Sequence, residues 1–210
     1  MLAYGGMIPH TGNVFVISAP SGTGKSTLTQ RLVASLEGLI FSISTTTRPP
    51  REGEVEGRDY FFVDGDTFDR MVAEGGFLEW VEVYGNRYGT GRDWIIQQLG
   101  KGVDVLLDIE TMGAAALKER MPDAIMIFLL PPSAAELERR LRGRGKDSQE
   151  QIGIRLAYAR HELEHFAEYD HLIVNDDLES AYRQLESVVL AARSRRPRME
   201  NVPRQLLAEF

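Results

Sequence analysis

Ten residues near the start of the chain, SAPSGTGKST at positions 18–27, combine glycines, a lysine and hydroxyl side chains. Gly22 and Gly24 allow backbone angles and close approaches that a Cβ would obstruct, so successive N–H groups can point at phosphate oxygens. Lys25 can reach terminal phosphates, and the Ser26 hydroxyl can ligate Mg²⁺. The stretch predicts a phosphate-binding loop of the Walker A type, with Ala19 where that motif has its first glycine.

The segments on either side of the loop have the required periodicity. Val14–Ser18 is apolar and β-branched, which predicts a buried strand, and Lys25–Leu36 places Leu28 and Leu32 on one face of a helix closed by Gly38. The helix N-terminus adds partial positive charge beside the loop. A glycine-rich turn with a chance lysine is the alternative.

Two further stretches carry charged groups suited to phosphate chemistry. Asp108 ends the apolar run VDVLLD, where a carboxylate would meet magnesium or its water shell, although a strand-end aspartate is often a turn or cap residue. Arg48 and Arg51 flank two prolines that stiffen an extended backbone, and such a pair can clamp a phosphate monoester, with Tyr60 as another donor. A solvated basic loop is the alternative for the arginines.

The remaining pattern predicts an α/β fold, namely a three-layer core with a parallel sheet. Continuous apolar runs at 103–109 and 124–130 are typical of parallel strands covered on both faces, and 39–43 and 171–175 are further strand candidates. Capping boxes at Ser133 and Ser148 open helices, and the leucines and valines of 178–189 indicate a last helix.

The chain divides into a discontinuous core at 13–44 and 101–190 and two smaller parts. Strand patterns at 59–63, 77–83 and around Tyr88, with few helices expected, make 45–100 an inserted β-rich lobe. Residues 139–154, rich in arginine and glycine, predict a mobile lid. Segments 1–12 and 191–210 are terminal extensions, and we interpret the basic run of the second as solvated rather than regulatory or a packing arm.

Composition excludes several classes of protein. The chain has 210 residues, a net charge of -7 and no cysteine, so disulfides, thiolate metal sites and a cysteine nucleophile are excluded, and a reducing cytoplasm is expected. The acidic balance argues against nucleic-acid and membrane partners. No stretch is apolar enough for a membrane span. The sequence is compatible with both a monomer and a homo-oligomer.

Six motifs taken together resemble one family. SAPSGTGKST, SISTTTRPPREGEVEGRDYFF, FLEWVEVYGNRYGT, LLDIE, RRLRGRG and IVNDDL follow in this order across residues 14–190 and are similar to those of guanylate kinase. The resemblance implies a P-loop kinase that transfers a phosphoryl group from MgATP to GMP, with a core, a GMP-binding lobe and a lid.

The resemblance also implies site residues. The ATP site would comprise Ala19, Pro20, Ser21, Gly22, Thr23, Gly24, Lys25, Ser26, Thr27 and, against adenine, Asn175. The GMP site would comprise Ser44, Arg48, Arg51, Tyr60, Glu79, Tyr88, Gly89, Thr90 and Asp108. The catalytic group would be Lys25, Arg48, Arg140, Arg144 and Arg155, with Ser26 and Asp108 at magnesium. Thr90 stands where the family more often has serine, and Gly89 fits a loop of close approach.

Chemistry supports Glu79 as the residue that recognises guanine. Guanine presents N1–H and a 2-amino group side by side, and one carboxylate can accept both, whereas adenine cannot supply this pair. Hydroxyls of Ser44 and Thr90 can donate to O6. Without the resemblance, Glu79 beside Trp80 would be an ordinary strand residue facing solvent.

The residues leave two rival functions open. A non-catalytic guanylate-kinase-like scaffold would bind a phosphorylated peptide, but such domains usually have a degraded loop. A kinase of the same fold acting on a phosphorylated sugar would not need Glu79.

Overall fold

The structure is a computed structural model, and it describes residues 11–83, 85–143 and 148–210. The strands of the described ranges are β1 (Val14–Ser18), β2 (Leu39–Phe41), β3 (Thr45–Thr46), β4 (Phe61–Phe62), β5 (Phe77–Val83), β6 (Asn86–Gly91), β7 (Asp104–Asp108), β8 (Ile125–Leu130) and β9 (His171–Val174). The helices are α1 (Lys25–Ser35), α2 (Gly65–Ala73), α3 (Arg92–Gly100), α4 (Thr111–Arg120), α5 (Ala134–Gly143), α6 (Gln149–Glu164), α7 (Leu178–Arg193), α8 (Arg196–Met199) and α9 (Asn201–Ala208).

Five strands form a parallel sheet in the order β2-β7-β1-β8-β9, which confirms the predicted α/β fold with a parallel sheet. Side chains of β1 alternate between two cores: Phe15 and Ile17 pack with residues of α1 and α7, and Val14 and Val16 pack with residues of α3 and α4. Burying each such side chain contributes about 1.5–3 kcal/mol. Because the strands are parallel, Ser18, Asp108 and the residue after β9 lie at the same edge, where α/β proteins bind ligands.

A second sheet is formed by residues between β2 and α3, in the order β4-β3-β6-β5. Its strands β5 and β6 pair as an antiparallel hairpin, and the ring of Phe68 of α2 packs at a tilt against Phe77, with ring centroids 4.5 Å apart. The strand at 77–83 is confirmed, while the one expected at 59–63 is reduced to β4.

The expectation of few helices at 45–100 was wrong, because α2 and α3 both lie there. Asp64 caps α2 by accepting a hydrogen bond from the Thr67 backbone N–H, a signal available in the sequence. Helix α3 buries Ile95 against the parallel sheet, so it packs with that sheet's core. The Ser148 capping box is confirmed at the start of α6.

The basic C-terminal segment is not simply solvated. Asp104, fully buried at the start of β7, accepts hydrogen bonds from Arg193 Nε at 2.8 Å and Arg198 Nη1 at 2.7 Å. The Asn13 backbone N–H donates to the same carboxylate. A buried carboxylate requires such partners, so the segment packs back onto the sheet and the solvated interpretation was wrong for these two arginines.

Within the described ranges, no helix has the length and apolar character needed to cross a lipid bilayer.

Candidate active site

The phosphate loop has the predicted strand–turn–helix form. β1 ends at Ser18 and α1 begins at Lys25. Gly22 and Gly24 have φ values of 95° and 99°, in the left-handed region that glycine adopts without steric cost. Ala19 is buried directly after β1, so its methyl group is accommodated where the motif has glycine.

Asn175, the residue that follows β9, contacts the backbone of the loop. Its Nδ2 donates to the Thr23 carbonyl at 2.6 Å, and a Cβ on Gly24 would lie 2.5 Å from the same nitrogen. Asn175 is buried. Gly24 is therefore required both for its backbone angle and for the approach of this amide. The contact of Asn175 with adenine stays a prediction.

Two of the predicted catalytic arginines contact the loop. Arg140 donates to the Thr23 carbonyl at 3.4 Å and to the Asn175 carbonyl at 3.0 Å, and Arg155 donates to Ser21 Oγ at 3.3 Å. Arg140 also binds Glu136, whose pKa is lowered to about 2 by hydrogen bonds from Arg139 and Arg140. Arg144 lies outside the described residues. Contacts of these arginines with nucleotide phosphates stay predictions.

Lys25 and Asp108 form an ion pair at the edge of the parallel sheet. The pair is possible because β1 and β7 are neighbours, with Ile17 opposite Asp108 in the ladder. Both side chains are partly exposed. The structure therefore brings the predicted phosphate-binding lysine and the predicted magnesium-site carboxylate into direct contact.

Two pockets meet at this ion pair. The first, of about 270 Å³, is the donor pocket; it is lined by Ala19, Pro20, Ser21, Gly22, Gly24, Lys25, Ser26, Thr27, Glu110, Tyr158 and Glu162. The second, of about 250 Å³, is the acceptor pocket; it is lined by Phe41, Ser42, Ser44, Asp59, Tyr60, Thr90, Leu107, Asp108 and Ile109. Lys25 lines one and Asp108 the other, so the two pockets are adjacent.

Glu79 is buried beside the acceptor pocket and does not face solvent. It lies opposite Thr90 in the β5–β6 hairpin, and Thr90 Oγ1 donates to Glu79 Oε1 at 2.5 Å. Burial raises the pKa of Glu79, while the Thr90 hydrogen bond and the charge of Arg120 act in the opposite direction. Trp80, the next residue, is exposed. The interpretation of Glu79 as a solvent-facing strand residue was wrong.

Arg48 is buried and held in a fixed orientation. Its Nη2 contacts both Glu54 carboxylate oxygens, at 2.7 and 3.0 Å, and its guanidinium lies 5.4 Å from the centre of the Tyr60 ring. Tyr60 in turn contacts Tyr88 edge-on, with ring centroids 6.1 Å apart. Arg51 is exposed, with its backbone N–H bound to Glu54. The solvated-loop alternative was therefore wrong for Arg48 and fits the exposed side chain of Arg51.

Gly89 is explained by packing within the hairpin. It lies in β6, and a Cβ there would come within 2.7 Å of the Phe77 ring. The close approach predicted for Gly89 is thus made in a strand rather than in a loop, and in this structure the partner is an aromatic side chain.

Three residues of the donor pocket were not identified from sequence: Glu110, Tyr158 and Glu162. Tyr158 Oη donates to Glu110 Oε2 at 3.3 Å. Burial, and then the charge of Glu110, raise the pKa of Glu162 to about 7, while Lys25 acts in the opposite direction. Glu110 is the last letter of LLDIE and could have been included with Asp108. The α6 residues gave no local signal, because only the packing of α6 brings them to the loop.

The five-stranded parallel sheet, the glycine loop between β1 and α1, and the lysine beside a strand-end aspartate define a P-loop nucleotide-binding protein. Comparison with known proteins gives the family. A family model described as guanylate kinase matches residues 11–192. The chain belongs to the guanylate kinase family.

Curated relatives and a solved structure agree with this membership. A guanylate kinase of Salmonella typhimurium is 50% identical over 201 residues, which is 95% of this chain and 97% of that protein. One of Escherichia coli K12 is 51% identical over 191 residues, or 90% of this chain and 92% of that protein. The crystal structure of guanylate kinase from Anaplasma phagocytophilum matches with a TM-score of 0.69 at 36% identity, covering 90% of each chain.

Proposed function

We propose that the chain catalyses the transfer of the γ-phosphoryl group of MgATP to GMP, giving ADP and GDP, in the cytoplasm. The observation that carries this proposal is the contact of the donor and acceptor pockets at the Lys25–Asp108 ion pair. Phosphoryl transfer depends on holding donor and acceptor in line, and two adjacent pockets separated by one ion pair meet that requirement.

On the donor side, backbone amides of the loop and the N-terminus of α1 bind the triphosphate. Lys25 neutralises its terminal phosphates. Arg140 and Arg155 already contact the backbone and side chain of the loop, so small movements of α5 and α6 would bring further positive charge to the transferred group. In this proposal residues 139–154, with Arg144, act as the lid, which excludes water that would compete as acceptor.

On the acceptor side, Arg48 binds the GMP phosphate. In this structure Nη2 of Arg48 donates to both carboxylate oxygens of Glu54. A phosphate monoester presents a similar pair of oxygens, so it could take the place of this carboxylate. The Tyr60 ring lies beside the guanidinium and contacts the Tyr88 ring edge-on, so both phenols would be close to the phosphate, and the exposed Arg51 would complete the site. The guanine base binds Glu79, with Ser44 as a hydroxyl donor. Thr90, which donates its single hydroxyl proton to Glu79 in this structure, orients that carboxylate and would donate to the base only after releasing it.

The residues at the ion pair fit Mg²⁺, which prefers hard oxygen ligands and retains several waters. Ser26 contributes an exposed hydroxyl in the donor pocket and Asp108 a partly exposed carboxylate in the acceptor pocket, and these two would hold the ion together with phosphate oxygens. When bound, Mg²⁺ neutralises charge that develops on the transferred group. Since positioning and charge neutralisation are sufficient for this chemistry, no residue is assigned as general base.

The proposed arrangement has three parts. The parallel sheet and its helices form the core, at 13–44 and 101–190. The second sheet forms most of the GMP-binding lobe at 45–100, and residues 139–154 form the lid. Nothing in the described residues favours the phosphopeptide-binding scaffold, since the loop retains Gly22, Gly24 and Lys25, whereas such scaffolds usually have a degraded loop.

The decisive experiment is a substrate panel. Purified protein with MgATP is offered GMP, AMP, CMP, UMP and a phosphorylated sugar, and ADP formation is measured in a coupled assay. We expect turnover with GMP at least about 10⁴-fold above AMP in kcat/KM, because a desolvated carboxylate is left unmatched by adenine. Lys25→Ala should lower kcat about 10²-fold or more, and exposed Lys101→Ala should not change it. Absence of GDP, or equal rates with AMP, would overturn the proposal.

A further inference from the structure

One face of α6 forms a wall of the donor pocket. Arg155, Tyr158 and Glu162 are spaced three and four residues apart, so they lie on the same side of the helix. Arg155 contacts Ser21 of the loop, Tyr158 contacts Glu110, and Glu162 lines the pocket. This face connects the proposed lid region to the site where the triphosphate binds.

The charges on this wall are unusual for a phosphate site. Glu162 is only 4% exposed, and Glu110 contributes a second carboxylate to the same pocket. Lys25, the loop lysine, is already paired with Asp108. Burial of Glu162, and then the charge of Glu110, raise its pKa to about 7 because both disfavour the ionised form, while Lys25 acts in the opposite direction. Arg155 and Lys25 offset part of this negative charge, but the two carboxylates still repel a phosphate that arrives without a cation.

We propose that the carboxylate of Glu162 makes the donor pocket select the magnesium complex of ATP over metal-free ATP. Glu162 and Glu110 would repel the full charge of the free triphosphate, whereas Mg²⁺ cancels two of those negative charges and provides water molecules that carboxylates can bind. Glu162 thereby determines specificity by electrostatic repulsion and does not ligate the metal. This inference rests on the proposed function, because it assumes that ATP binds the loop.

The test measures binding rather than activity. Dissociation constants for ATP are determined by calorimetry at pH 8, once with EDTA and once with excess Mg²⁺, for the wild type, Glu162→Gln and Glu164→Gln. Glu164 is on the same helix and exposed, so it is the matched control. We expect Glu162→Gln to tighten metal-free ATP by up to about tenfold and to change MgATP less than about threefold, because like charges facing each other in a partly desolvated site repel. Tenfold is the upper bound because, with a pKa of about 7, the carboxylate can be protonated at pH 8 at about that cost. The control should leave both constants unchanged.

Several outcomes would overturn the inference. If Glu162→Gln changes both constants by the same factor, the residue contacts the nucleotide or supports the fold but does not select the metal complex. If neither constant changes, or the control behaves identically, the electrostatic argument fails. Glu162→Met, a second neutral replacement, must reproduce the changed ratio, and it replaces Glu162→Gln should that variant not fold. A wild type that binds neither form refutes the proposed function, whereas failure of the ratio alone refutes only this inference.

Discussion

Replacing Glu79 by glutamine tests recognition of the base without disturbing the fold. The amide retains an oxygen that can accept the Thr90 hydrogen bond, which is 2.5 Å long. It can accept only one of the two guanine donors and presents an N–H₂ group to the other. Loss of one charge-assisted hydrogen bond together with a donor–donor contact amounts to about 3–4 kcal/mol, so kcat/KM for GMP should fall about 10²- to 10³-fold.

The same change should leave the donor side and the stability intact. Because burial raises the pKa of Glu79, a neutral side chain removes a desolvation cost, and the variant should be at least as stable as the wild type at pH 8. Glu82→Gln, on the same strand but exposed, is the control and should have wild-type kinetics. The measurement is a steady-state assay in which GMP and ATP are varied separately. Equal changes in the KM of both nucleotides, or an unchanged kcat/KM for GMP, would refute the assignment of Glu79 to the guanine site.

Three further changes test the loop, the C-terminal segment and the buried acid of α6. Gly24→Ala should weaken MgATP binding at least about tenfold, measured by calorimetry, because φ is 99° and the new Cβ would lie 2.5 Å from Asn175 Nδ2. Asp104→Asn should lower the free energy of unfolding by about 3–5 kcal/mol, since it removes the negative charge that compensates the buried Arg198 and the half-buried Arg193, whereas exposed Asp123→Asn should stay within about 0.5 kcal/mol in urea titrations. For Glu162, the folded-state pKa of about 7 lies above the ordinary glutamate pKa of 4.5, so the native state binds more protons between these values and stability falls as pH rises through that window. Glu162→Gln should remove about 1–2 kcal/mol of that fall, a value reduced from the full shift because the carboxylate borders a pocket; an unchanged difference in unfolding free energy between pH 5 and pH 8 would contradict it.

Local patterns were sufficient for the elements that position the phosphate loop. The strand Val14–Ser18 was predicted to the residue, and the helix after it to within one, because an uninterrupted β-branched run and a leucine stripe leave few alternatives. Gly22 and Gly24 were recognisable because only glycine readily adopts the backbone angles found there. The α/β class followed from the alternation of apolar runs and capped helices.

Features that depend on distant packing were not predictable. Nothing near Arg198 indicates that it reaches Asp104, which is 94 residues away, so its positive charge was taken as solvated. The position of Glu162 in the donor pocket could not be predicted for the same reason, since tertiary contacts determine which face of α6 meets the loop. Gly89 was assigned the right property, close approach, but the partner in the structure is Phe77, across the hairpin. In each case the sequence did not show which distant residue the side chain or backbone contacts in the folded protein.

The buried carboxylates of the described residues differ in how their charge is compensated, and the difference separates structure from function. Asp104 has two arginines on its oxygens, so its compensation is complete within the fold. Glu79 receives a single neutral hydroxyl, and Glu162 is placed near a second carboxylate; burial raises the pKa of both. A buried acid without full compensation is unfavourable for stability and tends to mark a functional site. Since these two lie beside adjacent pockets, we propose that ligands supply the missing partners: the N–H donors of guanine for Glu79 and the hydrated cation carried by ATP for Glu162.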